Sequence, residues 1–192
     1  MIRQVRAEDY DDIKSIKETL LLNSSRINEP EYHVKTEQAG FFLYKKQQTV
    51  EEFTKDLQKI HLVYEENDQV KGYLRIDDSQ EMENDTDVDV LWYKPEMREI
   101  YFSVPHAAMA GIGLLPEFAN KGIAKELLDS AIREVRKKEI PYLFSFVAVS
   151  PMTNIASLLF HERNGFGRIA CCTTSEMFGL KNYQSFLFGK KL

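Results

Sequence analysis

The fold is decided by Leu114-Leu115-Pro116-Glu117-Phe118-Ala119-Asn120-Lys121-Gly122-Ile123-Ala124, which joins an apolar run to an amphipathic helix. The run enters from Met109, and a Pro-containing loop and a glycine turn follow it. After the turn, apolar residues recur on one helix face. These residues are Ile123, Leu127, Leu128, Ala131, Ile132 and Val135. The pattern predicts a strand, a tight turn and a helix N-terminus, where backbone N–H groups and the helix dipole can bind a phosphate or pyrophosphate.

The composition is that of an ordinary globular chain. It has 192 residues, of which 43% are hydrophobic, enough for one domain with a core. There is no run of about 18 apolar residues, so we expect no membrane span, and the charged N-terminus lacks the apolar core of a signal peptide. The formal net charge of -5, without a basic block, argues against general nucleic-acid binding. We therefore expect a cytoplasmic protein.

The only two cysteines, Cys171 and Cys172, are adjacent and cannot form a disulfide framework. No spacing of cysteine and histidine suggests zinc, so we expect no metal site. The pattern favours small buried hydrophobic side chains in a reducing cytoplasm, and a reactive pair is the alternative.

The N-terminal half predicts short helices and strands. Thr49 and Glu52 have the spacing of a capping box. The predicted elements are a strand over 2–6, a helix from 7 to about 22, a helix from 50 to about 60 and a hairpin with strands over 61–65 and 70–76. Residues 26–48 give no clear pattern, although the apolar run 40–44 is expected to pack against the core or line a cleft.

An acidic run covers residues 77–89, which contain seven carboxylates and no lysine or arginine. Such a run is usually a solvated loop, and the functional alternative is a rim that attracts a cationic substrate. The apolar pieces 90–93 and 100–102 that follow are predicted as strand or loop.

The C-terminal half predicts a crossover unit. Residues 142–149 are almost wholly apolar, as in a parallel strand buried on both faces, and they follow a helix that itself follows a strand. A shorter helix over 153–164 is expected to end at Gly165. Its predicted inward residues are Ile155, Leu158 and Leu159. Strands over 166–174 and 183–188 complete a chain without repeats or linkers, so we expect a single domain over residues 1–192.

Two blocks of this sequence resemble the GNAT N-acetyltransferase superfamily. The first is the family's strand, Pro-containing loop and motif Arg/Gln-x-x-Gly-x-Gly/Ala, here Ala119-Asn120-Lys121-Gly122-Ile123-Ala124. The second is the family's helix with an asparagine at its start and Gly-Phe after its end, here Asn154, Leu158, Leu159, His161, Glu162, Gly165 and Phe166. A short glycine pattern alone is weak, but both blocks in family order carry the resemblance over residues 109–170.

The resemblance implies an α/β fold of the α+β mixed-sheet type, in which a mostly antiparallel sheet contains a splayed parallel strand pair and is flanked by helices. It also implies acetyl-coenzyme A as co-substrate, with pantetheine in the gap between the parallel strands. Carried over to this chain, the cofactor-binding residues are Ile112, Gly113, Leu114, Asn120, Lys121, Gly122, Ile123, Ala124, Lys125 and Asn154.

Ala119 departs from the family pattern, because the family usually has arginine or glutamine there. Backbone N–H groups from Asn120 to Ala124 would then carry most of the pyrophosphate binding, and Lys121 adds a charge or simply faces water. Gly113 permits a close backbone approach, or with Gly111 it marks a bulge. A backbone N–H near Leu114 could stabilise the oxyanion.

His161 is the catalytic residue that the resemblance implies. It occupies the position where the family often has a tyrosine that gives a proton to the leaving thiolate, and imidazole can do the same near neutral pH. The alternative is a histidine that only hydrogen-bonds cofactor or backbone. The two predicted central strands contain no acid to serve as base, so His106, Glu99 or a water chain are the substitutes.

The implied reaction moves an acetyl group from acetyl-coenzyme A to a primary amine of a small molecule or peptide. A non-catalytic acyl-coenzyme A-binding sensor or interaction domain is the alternative, and a Rossmann-type nucleotide-binding protein is weaker because its full glycine motif is absent. Fold does not fix the acceptor, but an acidic run beside the cleft would favour a cationic one. Family members are often dimers, so the aromatic C-terminal strands could pair between subunits of a homodimer.

Overall fold

One mixed sheet of eight strands organises the protein, in the order β1-β2-β3-β5-β6-β8-β7-β4. The structure is a computed structural model that describes residues 1–43, 48–77 and 88–192, without the side chain of Lys35. The strands are β1 (Ile2–Gln4), β2 (Ile60–Glu66), β3 (Gln69–Asp77), β4 (Val88–Trp92), β5 (His106–Leu114), β6 (Tyr142–Ser150), β7 (Gly167–Met177) and β8 (Leu180–Lys191). Tyr44 of the apolar run and residues 78–87 of the acidic run lie outside the described residues.

Six helices flank the sheet in the described part of the chain: α1 (Tyr10–Leu20), α2 (Pro30–Ala39), α3 (Val50–Asp56), α4 (Pro95–Ser103), α5 (Ile123–Lys137) and α6 (Ile155–Arg163). The apolar face of α5 packs on Leu62 and Leu74, and α6 joins the same core cluster through Leu158 and Phe160. Helices α1 and α3 pack on the alternate residues Val63 and Tyr73, which face the other side of the sheet.

The parallel pair β5 and β6 lies at the centre of the sheet. It is held together by three residue pairs, His106 with Tyr142, Ala107 with Leu143 and Ala108 with Phe144. Strand β5 is antiparallel to β3, and β6 is antiparallel to β8. The predicted mixed sheet, mostly antiparallel with one splayed parallel pair and flanking helices, is therefore confirmed.

The capping box is present, because the Thr49 hydroxyl accepts the N–H of Glu52 and the Glu52 carboxylate accepts the N–H of Thr49. The predicted end of this helix near Ile60 is wrong. Helix α3 ends at Asp56, since Ile60 already pairs with Ile76 in the hairpin. Sheet pairing thus overrides the helical spacing of Ile60.

Helix α2 gave no clear signal in the sequence because few of its side chains are buried, chiefly Tyr32 and Thr36. Residues 100–102 belong to helix α4 and not to a strand or loop, and Pro95 occupies its first turn, where proline is favoured. The central strand β5 starts at His106, three residues before the predicted Met109.

Three further expectations are corrected. Leu159, predicted to face inward, is 41% exposed, whereas His161 on the same helix is 1% exposed. The C-terminal strands cannot pair between subunits, because β8 lies between β6 and β7, and β7 between β8 and β4. Strand β6 is also not buried on both faces throughout, since Phe146 is exposed.

Candidate active site

The gap between β5 and β6 opens after Ala108 and Phe144, the last pair of the parallel ladder. From residue 109 onward, β5 pairs with β3 on one side, and no described strand pairs with its other side. The predicted pantetheine residues Ile112, Gly113 and Leu114 lie in this segment. Backbone N–H and C=O groups along an unpaired edge need partners, so the segment can bind an extended ligand with amide groups.

A β-bulge lies at Ala110, where the gap begins. Arg75 of β3 pairs with Gly111 and the next residue, Ile76, pairs with Met109, so Ala110 is the extra residue. Ala110 is exposed. The predicted bulge is therefore present, but its extra residue is Ala110, directly before Gly111, and neither of the two glycines.

Gly113 leaves room for a neighbouring aromatic ring. A Cβ atom on Gly113 would lie 2.7 Å from Cε2 and 2.9 Å from Cζ of Phe42, and 3.0 Å from Leu20 Cδ1. The close approach that this glycine permits is thus to the Phe42 ring of the same chain. Phe42 also stacks on Tyr73, which confirms that the apolar run 40–43 packs against the core.

The N-terminus of α5 lies beyond the far end of β5, after the Pro-containing loop. Asn120 and Gly122 have φ angles of 61° and 83°, in the left-handed region where glycine is favoured. No side chain caps this helix end, and the first N–H groups of a helix have no partner within it. Together these features form an exposed cradle of backbone donors that fits an anion.

The charged side chains of the motif lie at the surface. Lys121 is exposed, with Nζ 4.8 Å from the centroid of the Phe118 ring. Lys125 forms an ion pair with Asp129 one turn further along α5. Asn120 is also exposed, so in this structure the backbone and not these side chains shapes the cradle.

Asn154 caps α6 with a buried side chain. Its Oδ1 accepts the N–H of Ser157 at 3.2 Å, and its Nδ2 donates to the carbonyl of Phe41 at 2.9 Å. Both polar groups of this amide therefore have protein partners. Asn154 ties the start of α6 to the segment after α2, a long-range contact with no signal in the sequence.

His161 is buried between the rings of Phe166 and Phe188, each with its centroid 5.1 Å away. Its Nδ1 lies 2.7 Å from the carbonyl oxygen of Ser157. Because a carbonyl only accepts, Nδ1 carries the proton and Nε2 keeps a lone pair, for which the described residues supply no hydrogen-bond partner. Burial lowers the pKa of His161 to about 4, so the ring is neutral at pH 7.

The candidate bases do not reach the open part of the gap. His106 begins β5 on the paired side of the split and lies between the rings of Tyr101 and Phe144, with Nδ1 3.1 Å from the carbonyl oxygen of Val104. Glu99 is exposed on α4. Within residues 1–43, 48–77 and 88–192, no group of three or more histidine, cysteine or acidic side chains is arranged to hold a metal ion.

A cavity of about 330 Å³ lies beside the bulge, on the face of the sheet that α1 and α3 cover. Lys17, Phe53, Tyr73, Arg75 and Ala110 are among the residues that line it. No local sequence pattern predicts this cavity, because its walls come from four separate elements. One signal was available: Arg75 shares a strand face with Tyr73, so a charge lies at an inward position.

Comparisons with known proteins identify the family of this chain and structures with the same fold. A sequence model described as the acetyltransferase (GNAT) family matches residues 25–166. Among curated proteins, no match is found. In the described part of the chain, none of the helices has the length and apolar character needed to cross a membrane.

Solved structures with the same fold cover the whole chain at low sequence identity. An N-acetyltransferase from Staphylococcus aureus Mu50 is 18% identical, with a TM-score of 0.66 over 100% of this chain and 97% of the other. The PaiA N-acetyltransferase from Thermoplasma acidophilum, in complex with coenzyme A, is 16% identical, with a TM-score of 0.63 over 100% and 98%. The yncA protein from Salmonella typhimurium, with its cofactor acetyl-CoA, is 16% identical, with a TM-score of 0.64 over 100% and 93%.

Proposed function

Since this chain belongs to the GNAT acetyltransferase family, we propose that it moves an acetyl group from acetyl-coenzyme A to a primary amine of a small molecule or peptide. The amine attacks the thioester directly in a ternary complex. The observation that carries the proposal is the segment of β5 that pairs with β3 but with no described strand on its β6 side, and that runs from the bulge at Ala110 toward the uncapped N-terminus of α5. An amide-containing arm with a pyrophosphate at one end matches that arrangement.

The residues fit the cofactor as follows. The backbone of Ile112, Gly113 and Leu114 would hold pantetheine, and the backbone N–H groups of residues 120–124 would hold the pyrophosphate. Lys121 and Lys125 add positive charge near this cradle. Asn154 contributes by fixing the first turn of α6 against Phe41. The structures of PaiA with coenzyme A and of yncA with acetyl-CoA support this choice of donor.

We assign His161 a proton-transfer role in this reaction. The attacking amine must lose a proton and the leaving thiolate must gain one. A neutral imidazole with a free lone pair on Nε2 can take the first proton and give it to the sulfur. His161 would thus act first as a base and then as an acid, whereas the family's tyrosine acts as an acid only, because Nε2 carries no proton at the start.

The His161→Phe variant tests this assignment. We expect turnover to fall by about 100-fold, the usual contribution of a positioned acid or base, while the affinity for acetyl-coenzyme A changes little. The measurements are thiol release and calorimetric titration. Unchanged turnover would remove His161 from the mechanism.

A non-catalytic acyl-coenzyme A-binding domain is the second candidate. The observation in its favour is that no carboxylate lies on residues 109–114 of β5 or on β6, where a base would be expected. Thiol release from acetyl-coenzyme A across a panel of amines separates the two functions. Turnover with any amine supports the enzyme, whereas tight binding of acetyl-coenzyme A without turnover supports the binding domain.

We further propose that residues 1–192 act as one N-acetyltransferase domain in the cytoplasm, without nucleic acid or membrane partners. A homodimer would have to use contacts other than the C-terminal strands, for example the edge strand β4, on which Leu91 is 66% exposed. Sedimentation equilibrium measures the oligomeric state, and fractionation of cells measures the location.

A further inference from the structure

The cavity beside Ala110 lies where an acceptor would have to be. Ala110 and Gly111 form one end of it, at the point where β5 and β6 separate. This inference rests on the proposed function, because pantetheine running back along β5 from the N-terminus of α5 would bring its thioester to this bulge. The cavity opens on the face of the sheet opposite α5. An acceptor in this cavity would therefore approach the thioester from the sheet face that α1 and α3 cover.

Arg75, which lines the cavity together with Lys14 and Lys17, is already neutralised. It pairs with Asp56 at 2.5 Å and with Asp77 at 3.3 Å, and Lys59 pairs with the same two carboxylates at 2.9 and 3.0 Å. Two cations and two carboxylates thus form a cluster without net charge. Arg75 is held in place by this cluster and presents a fixed guanidinium to the cavity.

Lys17 lies in a different environment. Its half-buried side chain donates to Gln48 Oε1 at 3.0 Å and lies 5.4 Å from the centroid of the Tyr73 ring. Burial, followed by repulsion from Arg75, lowers the pKa of Lys17 to about 8. The surroundings therefore disfavour the charged ammonium, and an anion placed beside it would relieve that cost.

The acidic side chains that line the cavity are open to solvent. Glu18 and Glu52 are both exposed. The Glu52 carboxylate accepts the N–H of Thr49 in the capping box, and Glu18 lies 4.0 Å from Lys14. Exposed charges are screened by water and salt, so they act less on a bound ligand than the half-buried Lys17 does.

We propose that this cavity binds an acceptor amine that also carries a carboxylate or phosphate group, with the anion at Lys17 and the amine at the bulge beside Ala110. This assignment opposes the cationic acceptor that the acidic run would favour. Lys17 is then a specificity residue that touches the substrate, and Arg75 adds a second cation on the same wall.

Four amines of similar length test the proposal: 4-aminobutyrate, 3-aminopropyl phosphate, butylamine and 1,4-diaminobutane. A charge-assisted hydrogen bond at Lys17 corresponds to about 10- to 100-fold in kcat/KM, measured by thiol release. We expect kcat/KM for one of the two anionic amines to exceed kcat/KM for butylamine by that factor. The ratio of kcat/KM between the two anionic amines then identifies carboxylate or phosphate as the preferred anion. A preference for 1,4-diaminobutane or equal rates for all four would overturn the proposal.

The Lys17→Met variant should lose the preference, so that the ratio of kcat/KM between the preferred anionic amine and butylamine falls toward one, and Lys17→Arg should restore part of that ratio. Lys55→Met is the matched control, because Lys55 is exposed on α3 and pairs with Glu51. We expect Lys55→Met to behave like the unaltered protein. An anion preference that survives in Lys17→Met would exclude Lys17 as its source.

A binding measurement keeps the proposal independent of turnover. With coenzyme A present, butyrate or propyl phosphate should protect Lys17 from chemical acetylation, and butylamine should not. Mass spectrometry measures the acetylation of Lys17. If no amine is acetylated but this protection is seen, the proposed reaction fails and the anion site stands. If amines are acetylated and neither anion protects Lys17, the proposed reaction stands and the anion site fails.

Discussion

Acidification from pH 7 to pH 5 should destabilise this protein through two buried histidines. His61 and His161 are 0% and 1% exposed. Both ring nitrogens of His61 and Nε2 of His161 have no hydrogen-bond partner among the described residues. Burial lowers the pKa of each histidine from 6.5 to about 4. Each ring is therefore neutral in the folded protein under conditions in which it is protonated in the unfolded chain.

The sign and size follow from proton linkage. Between pH 6.5 and pH 4 the unfolded chain binds more protons than the folded protein, so the free energy of unfolding decreases as the pH falls. With these pKa values, each histidine removes about 2 kcal/mol between pH 7 and pH 5, and the two together about 4 kcal/mol. Asp9 and Asp56 contribute mainly below this window, because their pKa values lie under the ordinary 3.8.

Urea unfolding followed by circular dichroism at pH 7, 6 and 5 measures the effect. His61→Phe and His161→Phe should each remove about half of the pH dependence, and the double variant nearly all of it. At pH 7, His61→Phe should leave stability unchanged or raise it, because it removes two buried nitrogens without partners. A double variant that still loses about 4 kcal/mol between pH 7 and pH 5 would refute the reasoning.

Two further predictions concern stability. Asn154→Ala should lower the free energy of unfolding by about 2–4 kcal/mol, because it removes a helix cap and a buried hydrogen bond to Phe41. Asn154→Ser should lose less, since a hydroxyl also caps a helix, and equal losses in urea unfolding would contradict this account. Gly113→Ala should cost about 1–3 kcal/mol because its Cβ would meet the Phe42 ring at 2.7 Å. Gly111→Ala is the control, with its nearest contact at 3.4 Å, and it should be tolerated in the same assay.

The parts of the site that depend on local backbone conformation could be predicted from the sequence. Gly122 marks the left-handed residue before α5, and Asn154 marks the cap of α6, because each follows from short-range steric and hydrogen-bond rules. The apolar face of α5 likewise determines which side of that helix meets the sheet. These short-range features indicated the anion cradle before α5, whereas the gap between the parallel strands was expected only from the family resemblance.

The parts that depend on contacts between distant residues could not be predicted. The cavity beside Ala110 joins α1, α3, β3 and β5, and the bulge follows from the register with β3. His161 was singled out by position, but its burial depends on Phe188 of the last strand. Helical spacing alone also placed Leu159 inside, although its neighbours Leu158 and Phe160 pack against the core and Leu159 is exposed.

In the described part of the chain, the short parallel ladder divides the sheet into two four-stranded halves, β1-β2-β3-β5 and β6-β8-β7-β4, whose strands pair with each other at three residue positions. Each half is internally antiparallel, and the core cluster under α5 and α6 packs against both of them. A ligand lying in the gap would contact both halves and act as a strut between them. The cofactor would then serve as a structural element as well as a reactant, and losing it would leave the two halves with a weaker mechanical connection.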